Sequence, residues 1–229
     1  MSTCGWYATQ AKTNPDLFRV IYDFNRRPQH WVHSSFVETL PHAPVLKALA
    51  TTNHGATHVS AWLMRELKLD QDEACWDFEE PRCRIALLSS DTLHRLARYA
   101  GASSCWPGVA ATIGRDQLRE IKATLGEDAH VFALRRGRMI VPESDTVPIN
   151  GATSLAAHAL DAGWQMVVTA AFDERPAVQR RMALKLPPDV AQSIAAKVST
   201  ASDAREKAWS RLRKITSEVL TEGELKCFS

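Results

Sequence analysis

The stretch from Glu80 to Leu134 constrains the fold of this chain more than any other. It reads E-P-R-C-R-I-A-L-L-S-S-D-T-L-H-R-L-A-R-Y-A-G-A and, after a short break, G-R-D-Q-L-R-E-I-K-A-T-L-G-E-D-A-H-V-F-A-L. Ser90 or Asp91 caps a helix whose Leu93, Leu96, Ala97 and Ala100 fall on one face, and Gly101 stands where a left-handed C-terminal cap is wanted. Leu118, Ile121 and Leu125 repeat the pattern, and Gly126 closes it. Neither helix can hide its apolar stripe alone, so the two must pack on each other or on the rest of the chain.

Helical text continues on both sides. Asn14, Pro15 and Asp16 start a helix striped by Leu17, Phe18, Ile21 and Tyr22, and Pro28 biases Arg27 out of it. P-H-A-P separates a short helix through Phe36 and Leu40 from another through Val45 and Leu49. From Thr57, Val59, Trp62, Leu63 and Leu67 share one face, with Trp62 as the expected core anchor. The acidic connection Asp70–Glu80 is expected to lay Trp76 and Phe78 back on the core. Ser154 to Phe172 reads as an apolar helix interrupted by Asp161 and Gly163. In the last segment Ala204, Ala208, Leu212, Ile215 and Val219 form the seam of an amphipathic helix. The expectation is a mainly α chain: one compact multi-helix scaffold over residues 1–229, with a linker at 142–152 and a C-terminal helical segment at about 188–222. At most a minor β element is expected, around residues 131–141 or 180–186, where alternation leaves strand and helix both open.

Composition excludes more than it selects. The net charge of +2, from 28 basic and 26 acidic residues, is too small to argue for nucleic acid or an anionic membrane by itself. No basic segment followed by an apolar run opens the sequence, and no apolar run reaches membrane-spanning length, so a cytoplasmic protein is expected. Five scattered cysteines without a C-x-x-C pair fit free thiols in a reducing compartment.

Motifs of chemistry are missing. The sequence contains no G-x-S-x-G, G-x-G-x-x-G or G-x-x-x-x-G-K-[ST]. His54 and His58 lie four apart and His30 and His33 three apart, but Gly55 occupies the position where a zinc protease needs glutamate, and both pairs read as structural or surface histidines. No enzyme activity, metal or cofactor is expected. Arg115, Arg119 and Lys122 after L-A-R-Y-A-G imitate a helix-turn-helix and supply the alternative reading, a helical nucleic-acid-binding regulator. Against it, Gly101 to Arg115 is about a dozen residues where that motif uses three or four, and Asp116 and Glu120 would face phosphates.

Several blocks occur in a fixed order: F-N-R-R-P-Q-H-W-V-H, S-A-W-L-M-R-E-L-K-L, F-E-E-P-R-C-R-I-A-L-L, L-x-R-L-A-R-Y-A-G-A, I-G-R-D-Q-L-R-E-I-K-A-T-L-G-E followed by F-A-L, and R-R-M-A-L-K-L-P. Over roughly residues 24 to 187 they resemble the YscK (SctK) family of type III secretion proteins. Asp70–Trp76, Glu143–Gly151 and the tail after Pro188 carry none of the blocks. The resemblance implies a mostly helical adaptor of the injectisome's cytoplasmic sorting platform, peripheral to the inner-membrane face of the apparatus. It would link the cytoplasmic forkhead-associated-like domain of the ring protein SctD to the pod protein SctQ, and indirectly meet SctL and the secretion ATPase. Neither nucleic acid nor membrane insertion belongs to that role. An adaptor needs surfaces with aromatic or arginine anchors. Three are candidates: Arg26, Arg27, His30 and Trp31; Arg135, Arg136 and Arg138; and the basic side of the final helix, with Arg211 and Lys214.

Overall fold

The structure, a computed structural model, describes residues 3–148, 154–195 and 201–228. Among these residues every regular element is helical. In chain order they are α1 (Thr3–Thr13), α2 (Pro15–Arg26), α3 (Ser34–Glu38), α4 (Ala43–Ala50), α5 (Asn53–Glu66), α6 (Ser90–Ser104), α7 (Trp106–Ala111), α8 (Arg115–Leu125), α9 (Glu127–Ile140), α10 (Leu155–Ala170), α11 (Pro176–Lys185), α12 (Pro188–Ala195), α13 (Ser202–Val219) and α14 (Glu222–Leu225). Short 3-10 turns lie at Pro28–His30, Pro81–Leu87 and Glu143–Asp145. The mainly α expectation holds. The two stretches left open to a strand lie in α9 and α11 and their C-terminal caps. Of the linker expected at 142–152, residues 149–152 lie outside the described residues, as do 196–200 of the expected C-terminal segment.

The chain divides into two compact units. Unit 1 comprises Met1–Ser90, Asp173–Gln192 and Glu222–Ser229. Its α2 starts as the sequence predicts: Asn14 Oδ1 accepts from the Leu17 N–H at 3.1 Å, with Pro15 at the first helical position. Leu17, Ile21 and Phe24 are buried, while Tyr22 of the predicted stripe is 41% exposed. Phe78 is buried and meets Phe24 edge-on at 5.5 Å, whereas Trp76 is only half-buried and lies against the half-buried Tyr7 at 4.7 Å, so the acidic connection returns one of its two aromatics to the core. Val59 and Leu63 of α5 are buried, but Trp62 is only half-buried, a weaker anchor than the helical pattern implied.

Unit 2 comprises Asp91–Phe172 and Ser193–Thr221. The predicted apolar face of α6 is buried at Leu93, Leu96, Ala97 and Ala100. Gly101, expected to end this helix, is instead inside it, and α6 runs on to Ser104. The reason is packing. A Cβ on Gly101 would stand 1.9 Å from the Ala159 carbonyl oxygen of α10, and one on Gly163 would stand 1.8 Å from that of Ala97. Two glycines thus let two helix backbones touch where any side chain would hold them apart. Around this crossing lies a core rich in small residues, with Ala102, Ala129, Ala133, Ala156, Ala159 and Ala162 beside Val109, Ile121 and Leu125. Gly126 does close α8 as expected, at φ 89°, and leads into α9. Trp106 and Pro107, in the gap that opposed a helix-turn-helix, form α7. The seam of α13 is buried at Ala208, Leu212 and Ile215, and α13 packs on α10.

Replacing either crossing glycine should therefore push the α6 and α10 backbones apart. Gly101→Ala and Gly163→Ala are each expected to lower stability by about 1–3 kcal/mol. Gly5→Ala in α1, where a Cβ would meet nothing within 4 Å, should instead be neutral or stabilising by up to about 1 kcal/mol. Chemical denaturation of the three variants measures the contrast.

Candidate partner-binding surfaces

What positions the surface of unit 1 is a set of buried and half-buried cations. Between α5 and α6 the chain runs from Leu67 to Ser89 with only a 3-10 turn for regular structure, yet Leu69, Cys75, Phe78 and Ile85 to Leu88 are buried. Buried irregular backbone must find hydrogen-bond partners outside a helix or sheet ladder. Here side chains supply them. Lys185, 1% exposed, donates from Nζ to the carbonyls of Ala86 at 2.6 Å and Leu88 at 2.8 Å. One turn earlier Arg181, also 1% exposed, donates to Leu69 O at 3.3 Å and pairs with Asp72 at 3.6 Å. Arg84 reaches Phe78 O at 2.7 Å, Glu79 O at 3.1 Å and Cys227 O at 3.1 Å. Arg175 donates to Asp77 O at 2.6 Å while holding Asp173. The Asn25 amide serves both backbone groups of Cys75, at 2.7 and 2.8 Å.

These groups carry the marks of burial. Desolvation pushes the Lys185 ammonium down to about 7, and it lowers both Arg84 and Arg181. Burial pushes Asp173 up, but hydrogen bonds from Arg175 more than offset it and leave the carboxyl below its usual range. The Cys83 and Cys105 thiols rise to about 12 and about 11 through burial, the opposite of an activated thiolate. Cys75, Cys83, Cys105 and Cys227 are free, as expected.

The sequence-chosen surface residues fare unevenly. Arg26, Arg27 and His30 are exposed, but Trp31 is not: it is 6% exposed, lies 5.7 Å from the Phe24 ring and donates from Nε1 to Asp23 O at 3.1 Å. Its role is inside unit 1. Asp23 also draws in Arg27 and His30, each at 3.4 Å. On α9, Arg135, Arg136 and Arg138 are all exposed, and Arg136 turns to Glu218 of α13 at 3.6 Å. On α13, Lys214 is exposed, whereas Arg211 is half-buried against Asp145, which also binds Lys207 at 2.7 Å. The first patch belongs to unit 1 and the other two to unit 2, where Arg136 bridges from α9 to α13. Sequence reasoning missed Leu134 and Met139, 51% and 65% exposed beside the α9 arginines. The signal was present in L-R-R-G-R-M, which a helical wheel resolves only once the helix is known.

The other sequence decoys also have local explanations. Arg119 pairs with Asp116 at 3.3 Å and Lys122 with Glu127 at 2.8 Å, which neutralises two of the three cations of the nucleic-acid reading. His33 caps α3 by accepting from the Ser35 N–H at 3.3 Å. His54 and His58 are exposed with their Nε2 atoms 3.3 Å apart. Among the described residues, no group of three or more His, Cys, Asp or Glu side chains is arranged to hold a metal ion, and no helix is long and apolar enough to cross a membrane.

Among the described residues the chain is all-helical, its buried charge serves its own backbone, and its exposed basic residues are spread over separate helices. Residues 19–228, nearly the whole chain, match the profile of the family described as YOP proteins translocation protein K (YscK). The chain belongs to that family and is a type III secretion protein. The match extends through the tail after Pro188, where the sequence blocks had stopped. No curated protein and no solved structure matched the chain.

Because the folded pKa of Lys185 lies below its unfolded value, the unfolded chain holds this proton and the native chain does not between about pH 7 and pH 10. A neutral amine keeps two N–H donors, enough for Ala86 O and Leu88 O. Stability should thus rise with pH across this window, before the raised thiols oppose it above about pH 9. Relative to Lys185→Met, the wild-type protein is expected to gain about 2–3 kcal/mol between pH 7 and pH 9, measured by urea unfolding at each pH. Lys185→Ala, which strands two buried carbonyls and opens a cavity, should cost about 2–4 kcal/mol at pH 7.

Proposed function

We propose that this protein is a non-enzymatic adaptor of the type III secretion injectisome's cytoplasmic sorting platform. It joins the cytoplasmic forkhead-associated-like domain of the inner-membrane ring protein SctD to the pod protein SctQ, and through SctQ it is coupled to SctL and the secretion ATPase. It works in the cytoplasm, at the inner-membrane face of the apparatus.

One observation carries this reading: the family profile matches from residue 19 to 228, nearly the whole chain. The physical character of the molecule supports it. Of its most perturbed groups, Lys185 faces backbone carbonyls and Cys105 lies in an apolar core. An adaptor needs a stiff body and separate faces, and the exposed arginines lie on separate elements: Arg26 and Arg27 at the end of α2, Arg135 and Arg138 on α9. Lys214 adds a third basic position on α13, while Trp31 and Arg211 act from within by fixing the local backbone and Asp145.

The full chain, mixed separately with purified SctD cytoplasmic domain and with SctQ, should co-elute with each in size-exclusion chromatography. Binding of neither at concentrations of about tens of micromolar overturns the proposal.

A further inference from the structure

The outer side of α9 carries a feature that the adaptor role does not by itself specify. Leu134, Arg135, Arg138 and Met139 stand at i, i+1, i+4 and i+5, and so share one side of the helix. All four are exposed, the two apolar residues at 51% and 65%. The opposite side, with Ala129, Ala133, Gly137 and Ile140, is buried and fixes the helix in place. Arg135 and Arg138 make no ion pair or side-chain hydrogen bond among the described residues. The result is a pair of uncommitted guanidinium groups bracketed by a leucine and a methionine.

Several other basic positions that project from a helix are answered by an acid. On α2, Arg27 pairs with Asp23 and lies over the Tyr22 ring at 5.4 Å. On α8, Arg119 and Lys122 are answered by Asp116 and Glu127. On α13, Lys207 and Arg211 share Asp145, and no large apolar side chain of that helix is exposed. Lys47 on α4, between exposed Val45 and Leu49, is held by Glu38 at 2.9 Å. On α9 two unpaired cations and two large exposed apolar groups share one side of the helix, against one of each at Arg26 with Tyr22 and at Arg115 with Ile113.

We infer that this stripe seats an acidic amphipathic helix of a partner protein, with carboxylates facing Arg135 and Arg138 and apolar side chains facing Leu134 and Met139. Arginine offers a planar fork that grips a carboxylate through two bonds, and methionine adapts its shape to the neighbour it meets. The flanking apolar groups exclude water from the ion pairs, which is where such pairs gain strength. The stripe runs along a helix whose backbone is satisfied internally, so the mode is helix on helix and not strand addition. A second copy of this chain on the same stripe would bring four guanidinium groups together, and like charges disfavour it. Phosphates of a nucleic acid would satisfy the arginines but give Leu134 and Met139 no matched role, and a lipid surface would seat both groups, but two apolar side chains bury too little area to hold a chain of net charge +2 on a bilayer.

The inference deepens the adaptor reading by giving the chemistry of one partner face, and its test is independent of SctD and SctQ. Two synthetic helical peptides, alike except for glutamate or lysine at the positions facing the stripe, are titrated against the full chain by fluorescence anisotropy. The glutamate peptide should bind and the lysine peptide should not. Arg135→Glu with Arg138→Glu should weaken binding at least about tenfold, as should Leu134→Ser with Met139→Ser, while Arg135→Lys with Arg138→Lys retains part of it. Circular dichroism and thermal midpoints of all variants should match wild type, since these side chains are exposed. Binding unaffected by either double substitution, equal binding of both peptides, no binding of the glutamate peptide, or binding only to duplex DNA or anionic vesicles overturns the inference. Loss of SctD and SctQ binding with the peptide result intact would overturn the adaptor reading alone.

Discussion

Lys185 brings an amine into an apolar interior where two carbonyls and two aromatic rings are its partners. Nζ lies 5.0 Å from the Phe24 ring and 5.6 Å from the Trp31 ring while it donates to Ala86 and Leu88. Through these four contacts one side chain ties α11, α2, the turn after α2 and the 3-10 segment before α6 into one core. Taking such a group out of water is costly, and the drop of its pKa to about 7 is that cost in another form. It is tolerated because the alternative, a buried non-helical segment with unmet carbonyls, is also costly. Arg181, Arg84 and Arg175 repeat the solution along the same segment.

Unit 2 rests on the opposite means. Its core gains its closeness from what is missing: Gly101 and Gly163 remove the side chains at the α6–α10 crossing, and alanines line the surrounding faces. A small-residue core brings backbones together over a large area, so dispersion contacts between main chains replace the bulk that leucine or phenylalanine would supply. The neighbouring helices are then fixed tightly enough for α9 to present an ordered outer stripe.

Much of the fold was legible because helices announce themselves locally. The Asn14–Pro15 start, the α6 stripe and the α13 seam follow from spacing alone, since a 3.6-residue period puts those side chains on one face whatever surrounds them. Surfaces were less legible. Arg135 and Arg138 could be chosen by type, but Trp31 and Arg211 carry the same residue types into half-buried or buried places, because exposure is set by which faces the other elements cover. Leu134 and Met139 were not singled out, for the same reason.

Period, composition and ordered blocks in the sequence suffice for a helical chain, for cysteines suited to free thiols, four of which are free among the described residues, and for a family resemblance. Tertiary structure decided why those blocks exist. F-N-R-R-P-Q-H-W, F-E-E-P-R-C-R-I-A-L-L and R-R-M-A-L-K-L-P lie far apart in sequence and meet at Lys185, so their residue types make sense only once chain-distant carbonyls and rings are within bonding reach. Gly101 shows the same limit: local rules predict a helix cap, and the approach of α10 makes it a packing residue instead. Local periodicity is a property of neighbours along the chain, whereas desolvation and contact depend on neighbours in space.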